Sequence, residues 1–298
     1  MKKLFSFRSV VIPEDAPRAV IVMALLAMLL HLPAVRAFPP AQDCLIYGVV
    51  KDQYGTPLVN SAARVLLVSS NGTQLATSIA PGLAIGINFA LSVPMDAGVT
   101  PDPYTPNALT DGTPYKLYVV IGSTTNLPIE MTKMANGYAL MGQPAQQTRL
   151  DLTLGVDSNG DGIPDAWEKE FLASIGTNIA LANLNLSADY AHDGRTLKQE
   201  YLLGNYPLNP EDSFNVRLIS LEGSAPLLEF TTMLGRSYAA FGSADLKSWT
   251  ALSFTVPADG QNAAVRSYYY APDIRTLRVR IIVPSGAPQM QFFKLQLN

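Results

Sequence analysis

Twelve consecutive residues hold the densest set of oxygen donors in the chain: Asp157-Ser158-Asn159-Gly160-Asp161-Gly162-Ile163-Pro164-Asp165-Ala166-Trp167-Glu168. They satisfy the calcium-loop pattern D-x-[DN]-x-[DN]-G-x5-E at every defined position. The chemistry explains the spacing. A hard dication takes roughly six to eight oxygens at about 2.3 to 2.6 Å, so side chains at alternate positions must converge while the backbone turns sharply between them. Asp157, Asn159 and Asp161 supply the first three oxygens, Gly162 permits the turn, and the Ile163 carbonyl faces the ion. Asp165 then contributes directly or through a water, and Glu168 closes the site with both carboxylate oxygens. Four carboxylates so close together repel one another without a cation. Asp-Asn-Gly segments also make turns that bind nothing, but a match at every defined place favours the ion.

A second copy starts 32 residues later, at Asp189, and runs to Glu200. It aligns through Asp189, Asp193, Gly194 and Glu200, with the Arg195 carbonyl in the place of Ile163. Ala191 and Leu197 stand where side-chain donors are expected, so this is the weaker calcium site, with a structural turn as the favoured alternative. His192 reads as a solvated loop residue, because imidazole suits zinc or copper better than calcium.

The elements that must position these loops are short. Pro164 suits the first turn of a helix over 165–175, and Trp167, Phe171 and Ile175 lay one apolar stripe along it. A second helix, Thr196 to Leu203, ends at Gly204 and is followed by Pro207 and Pro210. What precedes the first loop is a strand, Leu150 to Leu154, so no entering helix completes a sensor-type pair. The arrangement resembles the loop-plus-exit-helix units of thrombospondin type 3 repeats and dockerins. It is most similar to a short module of exported bacterial surface proteins, on the strength of Pro164-Asp165-Ala166-Trp167-Glu168, Gln199-Glu200-Tyr201-Leu202-Leu203-Gly204 and Asn209-Pro210-Glu211-Asp212. The resemblance implies calcium as the bound ion; the degraded second loop is the departure from it.

On either side the pattern is β. Between residues 38 and 155, Leu45 to Val50, Ala63 to Val68, Ile85 to Val93, Tyr115 to Ile121 and Arg149 to Leu154 read as strands, and the proline-rich segment Val99 to Pro114 as a loop or irregular edge. Gly48-Val49-Val50-Lys51-Asp52 with the turn Gly55-Thr56-Pro57-Leu58 resembles the carboxypeptidase regulatory-like β-sandwich, which implies a structural or binding role without catalysis. From 213 to 298, seven short apolar runs separated by Gly, Pro, Asp or Ser fit a small sandwich. Gly235-Arg236-Ser237-Tyr238 and Ser243-Ala244-Asp245-Leu246-Lys247-Ser248-Trp249 resemble the sandwich that often follows this calcium module. Trp249 and Tyr268-Tyr269-Tyr270 could form a sugar-stacking platform, although aromatics on strands more often divide between core and cross-strand pairs. The expected fold is therefore mainly β: two β-sandwich domains, 38–155 and 213–298, joined by a small α-helical calcium-loop module, 156–212.

Composition narrows the function classes. With 48% apolar and 15% charged residues among 298, the chain is no disordered polyelectrolyte. A single cysteine, Cys44, precludes an internal disulfide framework, and 21 Lys+Arg against 24 Asp+Glu offers no basic field for nucleic acid. Residues 1–37 carry the parts of an export signal: Lys2, Lys3, Arg8 and Arg18, then the uncharged run Val20 to Leu30, then Val35-Arg36-Ala37 before a cleavage point. Such a run falls short of the ~30 Å hydrocarbon core, so the mature chain is expected to have no membrane span. Cleavage also removes His31 and leaves His192 as the one histidine, which disfavours a His-dependent triad or multi-His metal centre. No nucleophile elbow, phosphate-binding glycine loop or His-bearing zinc motif is present. The sequence thus points to a non-catalytic, secreted or cell-surface protein that binds calcium, with a surface protein or a polysaccharide as the class of partner left open. A dockerin-like docking module and a glycan-binding adhesin are the alternative readings.

Overall fold

Alternation decides where the first strand puts its side chains. In β1 (Cys44–Gly48), Cys44, Ile46 and Gly48 are buried while Leu45 and Tyr47 stay half-exposed, as period two requires of a strand with one wet face. A computed structural model of the chain describes residues 41–99, 103, 105–210, 214–222, 225–286 and 290–298. The export signal expected over 1–37 lies outside the described residues.

After β1 come β2 (Val50–Lys51), β3 (Arg64–Ser69), β4 (Gln74–Ser78), β5 (Phe89–Val93), β6 (Pro114–Ile121), β7 (Thr124–Asn126), β8 (Ala139–Leu140), β9 (Gln147–Arg149) and β10 (Leu152–Thr153). One set pairs as β5-β1-β9, with β2 and β10 continuing beside it, and a five-stranded sheet holds β4-β3-β6-β7 with β8 also on β6. The two pairings β1–β9 and β2–β10 are parallel. Ile46, Phe89 and Leu152 from the first set and Val65, Leu67, Leu117 and Val119 from the second share one buried cluster. A short helix α1 (Ile129–Thr132) drops Met131 into the same core and presents Lys133 immediately after it.

The strand expected over 149–154 is interrupted at Leu150-Asp151, although the ladder runs on through Leu150 N–H to the Tyr47 carbonyl at 2.8 Å and Leu152 N–H to the Val49 carbonyl at 2.8 Å. Gly48 makes this crossing possible, since a Cβ there would stand 2.2 Å from the Leu150 carbonyl oxygen. The strand expected from Ile85 starts only at Phe89, because Asn88 diverts the chain. Its side chain accepts from Val50 N–H at 2.7 Å and donates to the Val50 and Leu58 carbonyls at 3.0 and 3.1 Å.

Two helices follow, α2 (Asp165–Ser174) and α3 (Leu197–Leu203). α3 is bounded as its sequence dictates: Thr196 and Gln199 form a reciprocal capping box, and Gly204 closes the helix in the left-handed conformation. Phe171, Leu172, Leu184 and Leu197 pack as a separate buried cluster, with Trp167 against its edge.

The last seven strands are β11 (Arg217–Glu222), β12 (Ala225–Thr231), β13 (Ser237–Ser243), β14 (Thr250–Thr255), β15 (Tyr269–Tyr270), β16 (Thr276–Ile282) and β17 (Phe292–Leu297). β14 serves two neighbours in turn. Thr250 to Leu252 pair with β13, and Ser253 to Thr255 pair with β16. A strand that changes partner midway turns a corner, so the β11-β12-β16 side and the β15-β13-β17 side enclose Phe230, Tyr238, Phe254 and Val279. Of the aromatic run Tyr268-Tyr269-Tyr270, only Tyr269 and Tyr270 are strand. No helix among the described residues is long and apolar enough to cross a membrane.

The β-rich parts and the helices meet on glycines. The Tyr201 ring of α3 lies over Gly55, Pro57 lies against Gly235, and Tyr270 lies against Gly82. The Arg236 guanidinium donates to the Gly55 carbonyl at 3.2 Å. Gly55 has φ +81°, and a Cβ on it would fall 2.7 Å from the Tyr201 ring, whereas Gly72, φ +89°, faces open space. Gly72→Ala should therefore cost only the left-handed strain, about 1 kcal/mol. Gly55→Ala adds overpacking of about 1 to 3 kcal/mol. Urea unfolding of the two variants checks this, and equal losses would show that the Gly55–Tyr201 approach carries no stability.

Candidate metal centre

The first loop leaves β10 through Gly155 and enters α2 at Asp165, whose N–H donates to the Val156 carbonyl at 2.7 Å. That bond folds the loop back on its own start. Inside it, the Asp157 carboxylate accepts Gly160 N–H at 2.7 Å through Oδ1 and Gly162 N–H at 2.9 Å through Oδ2. Asp161 Oδ1 accepts Ile163 N–H at 2.8 Å. The positive φ of Gly160 (+79°) and Gly162 (+96°) is what lets successive N–H groups point inward.

Asn159, Asp161 and Glu168 are brought together. Asn159 Nδ2 donates to Asp161 Oδ2 at 2.8 Å and to Glu168 Oε1 at 3.1 Å. Glu168 is fully buried, on the first turn of α2. Burial, with the Asp161 charge adding to it, pushes its carboxyl up to about 7. The other acids are held apart from this trio. Asp157 Oδ2 lies 2.5 Å from Lys133 Nζ, and its carboxylate is 1% exposed. Burial opposes its ionisation, but the Lys133 ammonium and the Gly162 and Gly160 N–H groups outweigh burial and hold the carboxyl below the usual range. Asp165 is turned toward Ser158, accepting its N–H at 2.7 Å and its hydroxyl at 2.9 Å, with Lys169 Nζ at 3.3 Å. Those donors likewise overcome burial and keep Asp165 low. Ile163 is buried by its side chain.

Among the described residues no three His, Cys, Asp or Glu side chains already converge at metal-holding distance. Donors stand between the carboxylates instead: the Asn159 amide between Asp161 and Glu168, and Lys133 against Asp157. The donor set still fits a hard cation. It is all oxygen, and turning the Asn159 amide over exchanges its nitrogen for an oxygen, an assignment that rests on the hydrogen-bond network.

The second loop repeats the same backbone with fewer side chains. Asp189 accepts Gly194 N–H at 2.9 Å and Asp193 N–H at 3.3 Å, and Asp193 Oδ1 accepts Arg195 N–H at 2.9 Å. Glu200, at the corresponding place in α3, is 3% exposed. Among the described residues both Glu200 oxygens, Asp193 Oδ2 and Asn205 Nδ2 lack a well-aligned hydrogen bond, although the Asn205 amide and the Asp193 carboxyl stand close enough to Glu200 to bias its ionisation in opposite directions. Burial raises the Glu200 carboxyl. Arg195 turns its guanidinium to the Phe214 carbonyl at 3.0 Å and makes no ion pair with Glu200 among the described residues. Orphaned, buried carboxylate oxygens facing a second acid are the atoms a cation would satisfy.

Sequence reasoning located every loop acid and missed Lys133, which lies 24 residues upstream of Asp157 and reaches the loop only because α1 packs beside β10. The aromatics considered for sugar stacking are engaged. Tyr269 is buried in the core, the Tyr268 hydroxyl donates to the Gly82 carbonyl at 3.2 Å, and Lys294 Nζ sits 4.4 Å from the Trp249 ring centre. Comparison with protein-family models and with curated proteins gives no match.

The elevated Glu168 carboxyl sets a pH dependence for the calcium-free chain. The folded state holds this proton up to about 7, against 4.5 for an unburied carboxyl. The folded state therefore binds more protons between those values, and its stability falls as pH rises through that window. Denaturation in chelator from pH 4.5 to 7 should show this loss, and Glu168→Gln should flatten it. A slope unchanged in the variant refutes the assignment.

Proposed function

We propose that the protein is a non-catalytic, exported, secreted or cell-surface protein in which Ca²⁺ at the Asp157–Glu168 loop rigidifies the joint between two β-sandwich domains. One observation carries the reading: Glu168 is fully buried beside Asp161 with only the Asn159 amide between them, whereas the neighbouring acids Asp157 and Asp165 each have a lysine. Burying acids so close together is unfavourable unless positive charge accompanies them.

Asp157, Asn159, Asp161, the Ile163 carbonyl, Asp165 and Glu168 would hold the ion. When bound, calcium supplies the charge that lets Glu168 ionise beside Asp161. The residues around it do the mechanical work. Lys133 ties the loop to α1, and the bond from Asp165 N–H to the Val156 carbonyl fixes the entry of α2 on the end of β10. Tyr201 on α3 then sits on Gly55 of the first β-rich part. Burial of Phe171 and Tyr201 supports a structural joint over a docking plug, for which those side chains would be free to meet a partner. Asp189, Asp193, the Arg195 carbonyl and Glu200 form a second, weaker site on the same plan.

Extracellular modules of this kind bind calcium at about 10⁻⁴ to 10⁻³ M, which keeps such a site filled outside the cell. Filling stabilises by mass action, on the order of 1 to 3 kcal/mol at ten to a hundred times the dissociation constant. Thermal unfolding should therefore show a midpoint that rises with millimolar calcium and not with magnesium. Asp161→Ala should remove most of that rise, and an unchanged calcium response in this variant would refute the site. Calorimetric titration should count two ions in the wild type and one in Glu200→Gln, whereas one ion in both leaves the second loop a structural turn.

A further inference from the structure

Where the first β-rich part meets the last, Val49, Lys51, Pro57, Asn88, Arg236 and Tyr270 are among the residues that line a cavity of about 140 Å³. It lies apart from both acidic loops. Pockets for drug-sized ligands run to roughly 300 to 1,000 Å³, so this one has room only for a small ion or molecule.

Its charge is unbalanced. Arg236 is 6% exposed, and its guanidinium donates to the Gly55 carbonyl, a neutral acceptor. Lys51 is half-buried on β2. Neither side chain takes part in an ion pair among the described residues. Three cations line it, Lys51, Arg149 and Arg236, against two anionic groups, the Asp151 side chain and the terminal carboxylate of Asn298, and Asp151 is committed to Arg149. Asp151 Oδ1 accepts Arg149 Nε at 3.1 Å and Val49 N–H at 3.2 Å, while its Oδ2 accepts Arg149 Nη2 at 3.3 Å. Asn88 is likewise consumed by Val50 and Leu58, while one oxygen of the Asn298 terminal carboxylate accepts Ser237 N–H at 3.0 Å. Burial and the neighbouring Arg236 charge lower the Lys51 ammonium, with Asp151 and Glu130 opposing them only at a distance. The cavity therefore carries one positive charge in excess, and holding Lys51 and Arg236 partly withdrawn from water with neither in an ion pair among the described residues costs free energy that an anion between them relieves.

We propose that this cavity binds a small tetrahedral oxyanion of the sulfate and phosphate class, held by the Lys51 ammonium and the Arg236 guanidinium. A guanidinium fork matches such an anion's oxygens, and an ammonium serves it as a point charge. The anion bridges β2 of the first β-rich part to the chain just before β13. The joint is thereby neutralised twice, by cations at the acidic loops and by an anion here.

Sulfate is the probe, because at millimolar concentration it leaves millimolar calcium in solution. It also stabilises folded chains generally by exclusion from their surface, so the informative quantity is the difference between variants at equal sulfate. The thermal midpoint of the purified wild type in millimolar calcium should rise with sulfate by about 2 to 4 °C more than that of Lys51→Met. Lys198→Gln, which removes a cation on α3 remote from the cavity, should keep the wild-type response. Calorimetry should show sulfate affinity at least tenfold weaker in Lys51→Met and in Arg236→Gln. If Arg236→Gln fails to fold, Lys51→Met decides alone. The same sulfate response in Lys51→Met and wild type overturns the proposal, and it does so whether or not calcium binds at Asp157.

Discussion

Close approach of backbone to side chain at a few glycines is the constraint on which the joint between the β-rich parts rests. The Arg236 guanidinium reaches the Gly55 carbonyl over 3.2 Å, and the outer edge of the Tyr201 ring occupies the place a Cβ on that residue would take. Gly235 against Pro57 and Gly82 against Tyr270 repeat the device on either side. Each of these glycines is at positive φ, so the tight turn and the tight contact require the same residue. An interface made of turns rather than of sheet faces is small, and small interfaces depend on the positioning of few groups.

Charge then determines what those few groups must be. The helical segment gathers acids that are largely buried, while the neighbouring seam gathers Lys51 and Arg236. Such clusters of one sign gain little by facing solvent, where exposed pairs are worth no more than about 1 kcal/mol. Withdrawn from water, they depend instead on nearby donors, and the local backbone is arranged accordingly. The N–H groups of Gly160, Gly162 and Ile163 turn toward carboxylates before any ion is considered. Preorganisation of this kind lowers the entropy lost when an ion binds.

Much of this was legible in the residues. The alternation in Cys44–Gly48 and Arg64–Ser69 marks half-buried strands, and the Thr196 and Gln199 cap and Gly204 stop bound a helix at its observed ends. The donor spacing from Asp157 to Glu168 gives the loop its backbone. What was not legible depends on distant partners. β4 (Gln74–Ser78) carries no buried residue and exists as an edge because β3 offers it a ladder. Lys133 is an ordinary surface lysine until α1 delivers it to Asp157. Tyr268, Tyr269 and Tyr270 are identical letters with three fates, a hydroxyl bond to the Gly82 carbonyl, a core position and a packing surface for Gly82, and the partner that separates the first and third lies far away in sequence. That Lys51 and Arg236 line one cavity across 185 residues has no local signature.

The parallel pairing of the first strands with the last ones before the loop bears on the order in which the chain can assemble. Val49 N–H meets the Asp151 side chain across 102 residues, and β1 and β2 are completed only by β9 and β10. Until that long closure happens, the strand from which the acidic loop departs has no fixed place, and α2 has nothing to be anchored to. Contacts so distant in sequence must lose the entropy of closing a long loop before any of their stability is gained, which makes such topologies slow to fold. The acidic loop therefore gains its fixed place late in folding, and the ends of the first β-rich part act as a clasp that must shut before the rest of the molecule can be hung from it.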